Sequence, residues 1–348
     1  MKAVFVYPNP RRGLLEAVAA GEAPDTSLLG LNHFGDLGIE AWVHEPRLRR
    51  RDRRSGLRHR LTWNLRELTL PWELGDADAA VTPLANLFPL VARVRRRPRV
   101  LLVSYHLVAA YDRSSPARRR LLAASVRSAA AVACIAEAGR ERLLERTGAA
   151  PARVHTVLLG VDERYWTPAP PADGGYVLTV GRDLARDYET FCRAVEGLPT
   201  RAILVAKRAN LEGVRVPANV EVRLDISPAE VRDLYAGAAC VVVPIRREGF
   251  RFGTENSGTI ALLEASACAR PLVVTERAYL TDYLRPETAL AVPPEEPEAL
   301  RAAIARVLAD RPLAATLSSS ARRLVEAEHT TGRFAARLAE ILGALDEG

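Results

Sequence analysis

The chain has 348 residues, 48% hydrophobic and 26% charged, with a net charge of +7. At roughly 100–200 residues per domain this length predicts two domains, and the balance is that of a globular protein, not a disordered or fibrous one. No apolar run approaches the ~20 residues that span a bilayer, and the opening MKAVFVYPNPRRG lacks the apolar length and cleavage pattern of a signal peptide, so a cytoplasmic chain is expected.

Cys134, Cys192, Cys240 and Cys268 are far apart, each in an apolar stretch, which predicts buried free thiols. Charge is uneven. Residues 1–165 hold 27 Lys+Arg against 17 Asp+Glu, net +10, whereas the remainder is −3. That asymmetry suggests an anionic partner near the first half. Lys2 and Lys207 are the only lysines, so the chain is biased to arginine throughout and each arginine run weighs less.

In chain order, Ala3–Tyr7, Ile39–Val43, Val100–Ser104 and Ala131–Ile135 read as short apolar strands, with helical patterns such as Pro116–Arg127 and Glu137–Arg146 between them. RYWTPAPPADGG at 164–175 reads as a linker. The alternation then restarts with strands at Val177–Val180, Ala202–Ala206, Val220–Leu224, Cys240–Pro244 and Leu272–Thr275. Helices are expected at Tyr188–Glu196, Pro228–Ala236, Thr259–Ala267 and Glu296–Ala309, with closing helices at Leu313–His329 and Thr331–Leu345. Continuous apolar strands separated by amphipathic helices predict parallel sheets covered on both faces. The reading is α/β, with two doubly wound, Rossmann-like domains facing across a cleft: 1–165, a linker at 166–175, 176–330, and a terminal helix at 331–348 crossing back to the first domain. Ligands are expected beyond the carboxyl ends of the strands.

Three segments suit an anionic ligand. Asn256-Ser257-Gly258-Thr259 opens a helix, with Asn256 or Ser257 as N-cap, Gly258 allowing close backbone approach and first-turn N–H groups favouring an anion. Glu264, two turns on, can accept hydrogen bonds from vicinal ribose hydroxyls, or be the solvated carboxylate of an ordinary capped helix. Gly181 and Arg182 end one strand, Arg186 lies four residues on, and Lys207 ends the next strand. Cations on neighbouring strand ends suit a diphosphate, although each singly reads as a surface ion-pair partner.

These pieces resemble a known family. VGRDLARDYETF, DISPAEVRDLYAGAACVVVP, SGTIALLEASACARPLVVTERAYLTDYL and LAVPPEEPEALRAAIARVLAD, from Gly181 to about His329, are similar to the donor domain of family 4 glycosyltransferases, of GT-B fold. YPNPRRG, SYHL, VACIAEAGRERL and VHTVLLGVDERYW match its first domain more loosely. The resemblance implies a retaining, metal-independent hexosyltransferase that uses a UDP- or GDP-sugar, needs no cofactor, and serves polysaccharide biosynthesis with a glycan, lipid-linked or small-molecule acceptor. It implies that Arg182 contacts the donor diphosphate and that Arg186 substitutes for a lysine the family places there. Glu264 matches the second acid of its E-x7-E element, which binds the ribose. Asn256 stands where the first acid touches the transferred sugar. Gly258 and Thr259 would present backbone N–H groups to phosphate, His106 would face the reacting sugar, and Gly13 would lie in a flexible acceptor-side loop. Base specificity is expected around Leu224–Val231.

Other signals are weighed against these. Asp76-Ala77-Asp78 spells the DxD metal motif of the other glycosyltransferase fold but reads here as a helix start, so no metal is expected. No Walker P-loop, GxGxxG, zinc spacing or nucleophile elbow is present. The basic run within Arg47–Arg60 reads first as a solvated loop and second as a peripheral contact with an anionic membrane face. Nucleic-acid binding comes last, for want of aromatic interleaving or a recognised module. A non-catalytic relative that binds nucleotide sugar or glycan without turnover is the alternative, and Asn256 is the residue that separates the two readings. No lysine suited to a pyridoxal cofactor is found in the late region, which argues against a phosphorylase.

Overall fold

The structure, a computed structural model, describes residues 1–45, 66–170, 175–254 and 256–346. The chain divides into two compact units. One comprises Met1–Ala19, Ser27–Leu158 and Gly332–Gly348, the other Ala20–Thr26 and Leu159–Thr331.

The first unit runs β1 (Lys2–Val6), α1 (Arg12–Ala19), β2 (Glu40–His44), α2 (66–73), β3 (Ala79–Thr82), α3 (Phe88–Arg95), β4 (Arg99–Ser104), α4 (Leu107–Asp112), α5 (Pro116–Ser128), β5 (Ala131–Cys134), α6 (Glu137–Thr147) and β6 (Val154–Thr156). Its six strands are ordered β2-β1-β3-β4-β5-β6 and every pair is parallel. Both faces of the strands are covered: Val4, Val100 and Leu102 are buried on one side and Phe5, Leu101 and Val103 on the other. β3 stands where the sequence reads the start of a helix, and β6, of three residues, is too short to stand out as an apolar run.

The DxD segment is one such correction. Asp76 and Asp78 precede a strand, not a helix. Asp78 accepts the Lys2 backbone N–H at 2.9 Å and pairs with Arg97 at 3.3 Å, and Asp76 pairs with the Lys2 ammonium. Gly13 is the second residue of α1 and not part of a loop. The Glu45 carboxylate accepts the Arg11 and Arg12 N–H groups at 2.8 and 2.6 Å, which fixes the start of that helix.

The second unit runs β7 (Tyr176–Val180), α7 (Tyr188–Val195), β8 (Ala202–Ala206), β9 (Val220–Leu224), α8 (Pro228–Gly237), β10 (Ala238–Val243), α9 (Thr259–Ala267), β11 (Leu272–Thr275), β12 (Leu290–Val292), α10 (Pro297–Ala309) and α11 (Arg311–Glu328). The last helix, α12 (Thr331–Asp346), returns to the first unit. This second sheet is also parallel, in the order β12-β11-β10-β7-β8-β9. Local signals set its helices. Asp187 caps α7 by accepting the Thr190 N–H, and Ser227 and Glu230 form a capping box at α8.

The division falls at Leu158, before the proline-rich stretch, because residues 159–166 pack inside the second unit. Leu159 donates its N–H to the Tyr283 hydroxyl at 2.8 Å, Trp166 meets Tyr235 edge-on at 5.6 Å, and Tyr165 lies under Arg232. All four cysteines are free and buried.

Candidate functional site

In the second sheet the chain starts at β7, builds outward through β8 and β9, then returns to the other side of β7 as β10. The carboxyl ends of β7 and β10 therefore flank a topological switch point, where the two following loops diverge and leave a crevice. The residues at those ends are Gly181–Asp187 and Pro244–Gly258.

After β7, Gly181 donates its N–H to the Val205 carbonyl at 3.0 Å. A Cβ there would collide with the Arg186 guanidinium, so only glycine lets that side chain lie across the strand end. Arg186 is 4% exposed. Its Nη2 donates to the Val180 carbonyl, while Nη1 is buried with no hydrogen-bond partner among the described residues. A buried guanidinium with an unmet donor is costly unless an anion supplies the acceptor. Arg182 is exposed and donates to the Ile226 carbonyl at 3.0 Å; Lys207 is exposed at the end of β8.

After β10, α9 opens. The sequence favoured Asn256 or Ser257 as N-cap, but the cap residue is Gly258, at φ 89°, with no side-chain cap bond. A Cβ at Gly258 would sit 2.7 Å from Ile245 Cδ1 and 2.8 Å from Val243 Cγ1, which explains why glycine turns the chain here. Ser257 is committed elsewhere: its hydroxyl donates to Asp183 at 2.8 Å. The Thr259 N–H, expected to face a ligand, is bonded to the Asn256 carbonyl at 3.2 Å. Two other groups at this helix start are buried and unpartnered among the described residues, Asn256 Oδ1 and Thr259 Oγ1.

Glu264 projects from the second turn of α9 and keeps partial exposure. Burial pushes its carboxyl up to about 7, opposed by a 3.1 Å hydrogen bond from the Tyr235 hydroxyl and by the charges of Arg186 and Arg182. That electrostatic reach places Glu264 in one neighbourhood with both arginines. The carboxylate, the two cations and the helix start thus converge at the switch point.

Three participants escaped the sequence reading. Asp183 joins the loops after β7, β8 and β10: it accepts from Ser257 Oγ at 2.8 Å and Thr254 Oγ1 at 3.4 Å, and its carbonyl accepts from Asn210 at 2.8 Å. Tyr235 holds Glu264. Arg277 is 9% exposed, lies 5.5 Å from the Tyr279 ring centroid, donates to the Arg246 carbonyl and leaves Nε unpartnered. Asp183 is the one with a sequence signal, an acid directly after the Gly181-Arg182 strand end.

His106 and Gly13 belong to the first unit. His106 is the exposed N-cap residue of α4, just beyond β4, with its ring 6.2 Å from that of Tyr105. Glu255 and the Arg47–Arg60 run lie outside the described residues.

Residues 176–310 match the profile of the family described as Glycosyl transferases group 1. Curated proteins give no sequence match. Solved structures give several over nearly the whole chain. Sucrose-phosphate synthase from Thermosynechococcus elongatus is 20% identical, covers 100% of both chains and has a TM-score of 0.72. Anabaena HepE in complex with UDP-glucose is 13% identical over 99% of this chain and 100% of that one, with a TM-score of 0.69. A glycosyltransferase from Rickettsia africae is 13% identical over 99% and 98%, also at 0.69. The chain therefore has the GT-B fold of two Rossmann-like domains, and its second unit matches the glycosyl transferases of group 1.

Proposed function

We propose that the protein is a glycosyltransferase that takes a hexosyl-type sugar from a nucleoside-diphosphate sugar bound at the switch point of the second unit. The observation that carries this is the convergence of buried, half-satisfied Arg186 with Arg182 and Glu264 beside the start of α9. Arg186 Nη1, Arg182 and Lys207 are the groups for the diphosphate. Glu264 is the acceptor for the ribose hydroxyls, and the backbone around Leu224–Val231, which Arg182 anchors through Ile226, is where the base would be read. Solved complexes of HepE with UDP and with UDP-glucose support UDP as the first nucleotide to try.

The resemblance to family 4 glycosyltransferases supports transfer with retention. The bond between the anomeric carbon and the diphosphate breaks first, its electron pair leaves with the phosphate oxygen, and the departing phosphate takes the acceptor hydroxyl proton as the new glycosidic bond forms. Fixed cations are suited to the charge that develops on that oxygen, and removing one such donor lowers kcat by about 10²–10³. His106 and the segment around Gly13 are assigned to the sugar and the acceptor, a glycan, lipid-linked or small molecule. The Arg47–Arg60 run is assigned to contact with an anionic membrane face. Neither a metal nor a cofactor is required in this reading.

A second reading, binding without turnover, is favoured by Asn256, an amide where a carboxylate would serve the sugar. A screen of the purified protein against UDP-, GDP-, ADP- and TDP-sugars, with and without EDTA, separates the two. Selective stabilisation by one donor, insensitive to EDTA and lost in Arg182→Ala and Glu264→Ala, supports the site, and donor hydrolysis supports turnover. Binding indifferent to both substitutions refutes it.

A further inference from the structure

In the second sheet the groups assigned to the donor follow the strand order. The backbone that would read the base lies beyond β9, Lys207 beyond β8, Arg182 and Arg186 beyond β7, and Asn256 in the loop beyond β10. A donor laid along these carboxyl ends carries its sugar toward β11, and Arg277 stands two residues past the end of that strand. Arg277 is buried, a costly position for a guanidinium without a counter-ion. It forms no ion pair among the described residues, whereas the arginines of the β10 loop are paired, Arg246 with Asp187 and Glu189 at 3.4 and 3.3 Å and Arg247 with Glu295 at 3.1 Å. Glu248, in the same loop, spends one carboxylate oxygen on the Ala278 N–H at 3.1 Å. Arg277 Nη1 is given to the Arg246 carbonyl, which leaves the Nε–Nη2 edge, and Nε has no partner among the described residues. That edge holds two parallel N–H groups, the arrangement a carboxylate accepts bidentately.

Tyr279 ties this cation to the start of α9. The Arg277 guanidinium lies 5.5 Å from its ring centroid, and its hydroxyl donates to the carbonyl of Ser257, the neighbour of Asn256. Burial pushes the Tyr279 phenol up, opposed by the charges of Arg277 and Arg186, so both arginines act on one ring. Asn256 Oδ1 is itself buried and unpartnered, and an amide at 256 adds no negative charge to offset Arg277. We infer that the donor sugar carries a carboxylate, as a hexuronic acid does, and that Arg277 binds it on its Nε–Nη2 edge. This rests on the nucleotide-sugar reading of the switch point and adds the class of sugar to it. A neutral hexose offers only hydroxyls there and leaves the guanidinium without its counter-ion.

Isothermal titration of the full chain with matched donors tests this: UDP-glucose against UDP-glucuronate and GDP-mannose against GDP-mannuronate, each beside the free nucleotide. In the pair whose nucleotide binds, the uronate is expected to bind about tenfold or more tighter than the neutral sugar. Arg277→Gln should bring the two dissociation constants to within about twofold of each other, while Arg277→Lys, which keeps the charge, should retain part of the preference. Asn256→Asp, which sets a carboxylate at the sugar end, should also lower it. Each result is a ratio of two constants for one protein, so a general loss of affinity does not move it, and Asn256→Asp decides the matter if Arg277→Gln does not fold. Nucleotide binding with equal constants for both sugars of a pair, or a preference that persists in Arg277→Gln and in Asn256→Asp, overturns this inference alone. Failure of both nucleotides and all four sugars to bind overturns the switch-point reading and this inference with it.

Discussion

Replacing Glu264 by Gln removes a carboxyl whose proton is held by burial, and the consequence for stability has a definite sign. In the unfolded chain the group titrates near 4.5; in the fold it titrates at about 7. Between those values the unfolded state releases its proton while the folded state keeps it, so stability falls as pH rises and levels off above the folded value. At about 1.4 kcal/mol per tenfold change in proton affinity, the full cost is about 3 kcal/mol, most of it incurred between pH 5 and 8. The amide keeps an oxygen to accept the Tyr235 hydroxyl, so the hydrogen bond at 3.1 Å can survive. Glu264→Gln is therefore expected to gain about 2–3 kcal/mol relative to wild type on going from pH 5 to pH 8. Urea unfolding followed by tryptophan fluorescence measures this, since Trp166 stacks edge-on against Tyr235 in the same unit. Parallel pH profiles for the two proteins would refute the assignment of a buried, proton-holding carboxyl. The same titration predicts that a ligand whose hydroxyls donate to the carboxylate binds more tightly as pH rises through about 7, and that Glu264→Gln abolishes this dependence.

Gly258→Ala is expected to lower stability by about 2 kcal/mol or more, read as a drop of several degrees in Tm, because the new methyl meets Ile245 and Val243 at a positive φ. Asp183→Ala should release Ser257 and Thr254 together, costing about 1–3 kcal/mol and weakening nucleotide binding about tenfold; a donor Kd equal to wild type would count against Asp183 as the tie between the loops. The thiols of Cys192, Cys240 and Cys268 are pushed up to about 12 by burial, so none should react with Ellman's reagent in the native state and all four cysteines should react in urea.

Much of the fold is legible in the chain because its longer strands are buried on both faces. β1, β4, β8 and β10 appear as apolar runs (AVFV, VLLV, AILVA and AACVVV), a pattern that a half-exposed sheet would not produce. β6 and β12, of three residues each, are shorter than any periodicity can resolve, and β3 follows Asp76-Ala77-Asp78, which reads as a helix start; tertiary pairing makes all three strands. The Gly181, Arg182 and Glu264 positions were readable because strand ends and helix starts carry fixed chemistry. The N-cap of α9 was not, since Ser257, a good capping residue in isolation, is drawn away to Asp183, 74 residues earlier.

By itself, then, the sequence determined where apolar runs alternate with amphipathic ones, hence two parallel-sheet domains, and which polar residues stand at the ends of strands. Only the tertiary structure decided what those residues experience. Arg186 is buried because Gly181 leaves room for it, Glu264 holds its proton because burial outweighs the opposing Tyr235 hydrogen bond and arginine charges, and the segments 20–26 and 332–348 each join the unit remote from them in the chain. Burial and charge proximity depend on residues far apart along the chain, which no local pattern encodes.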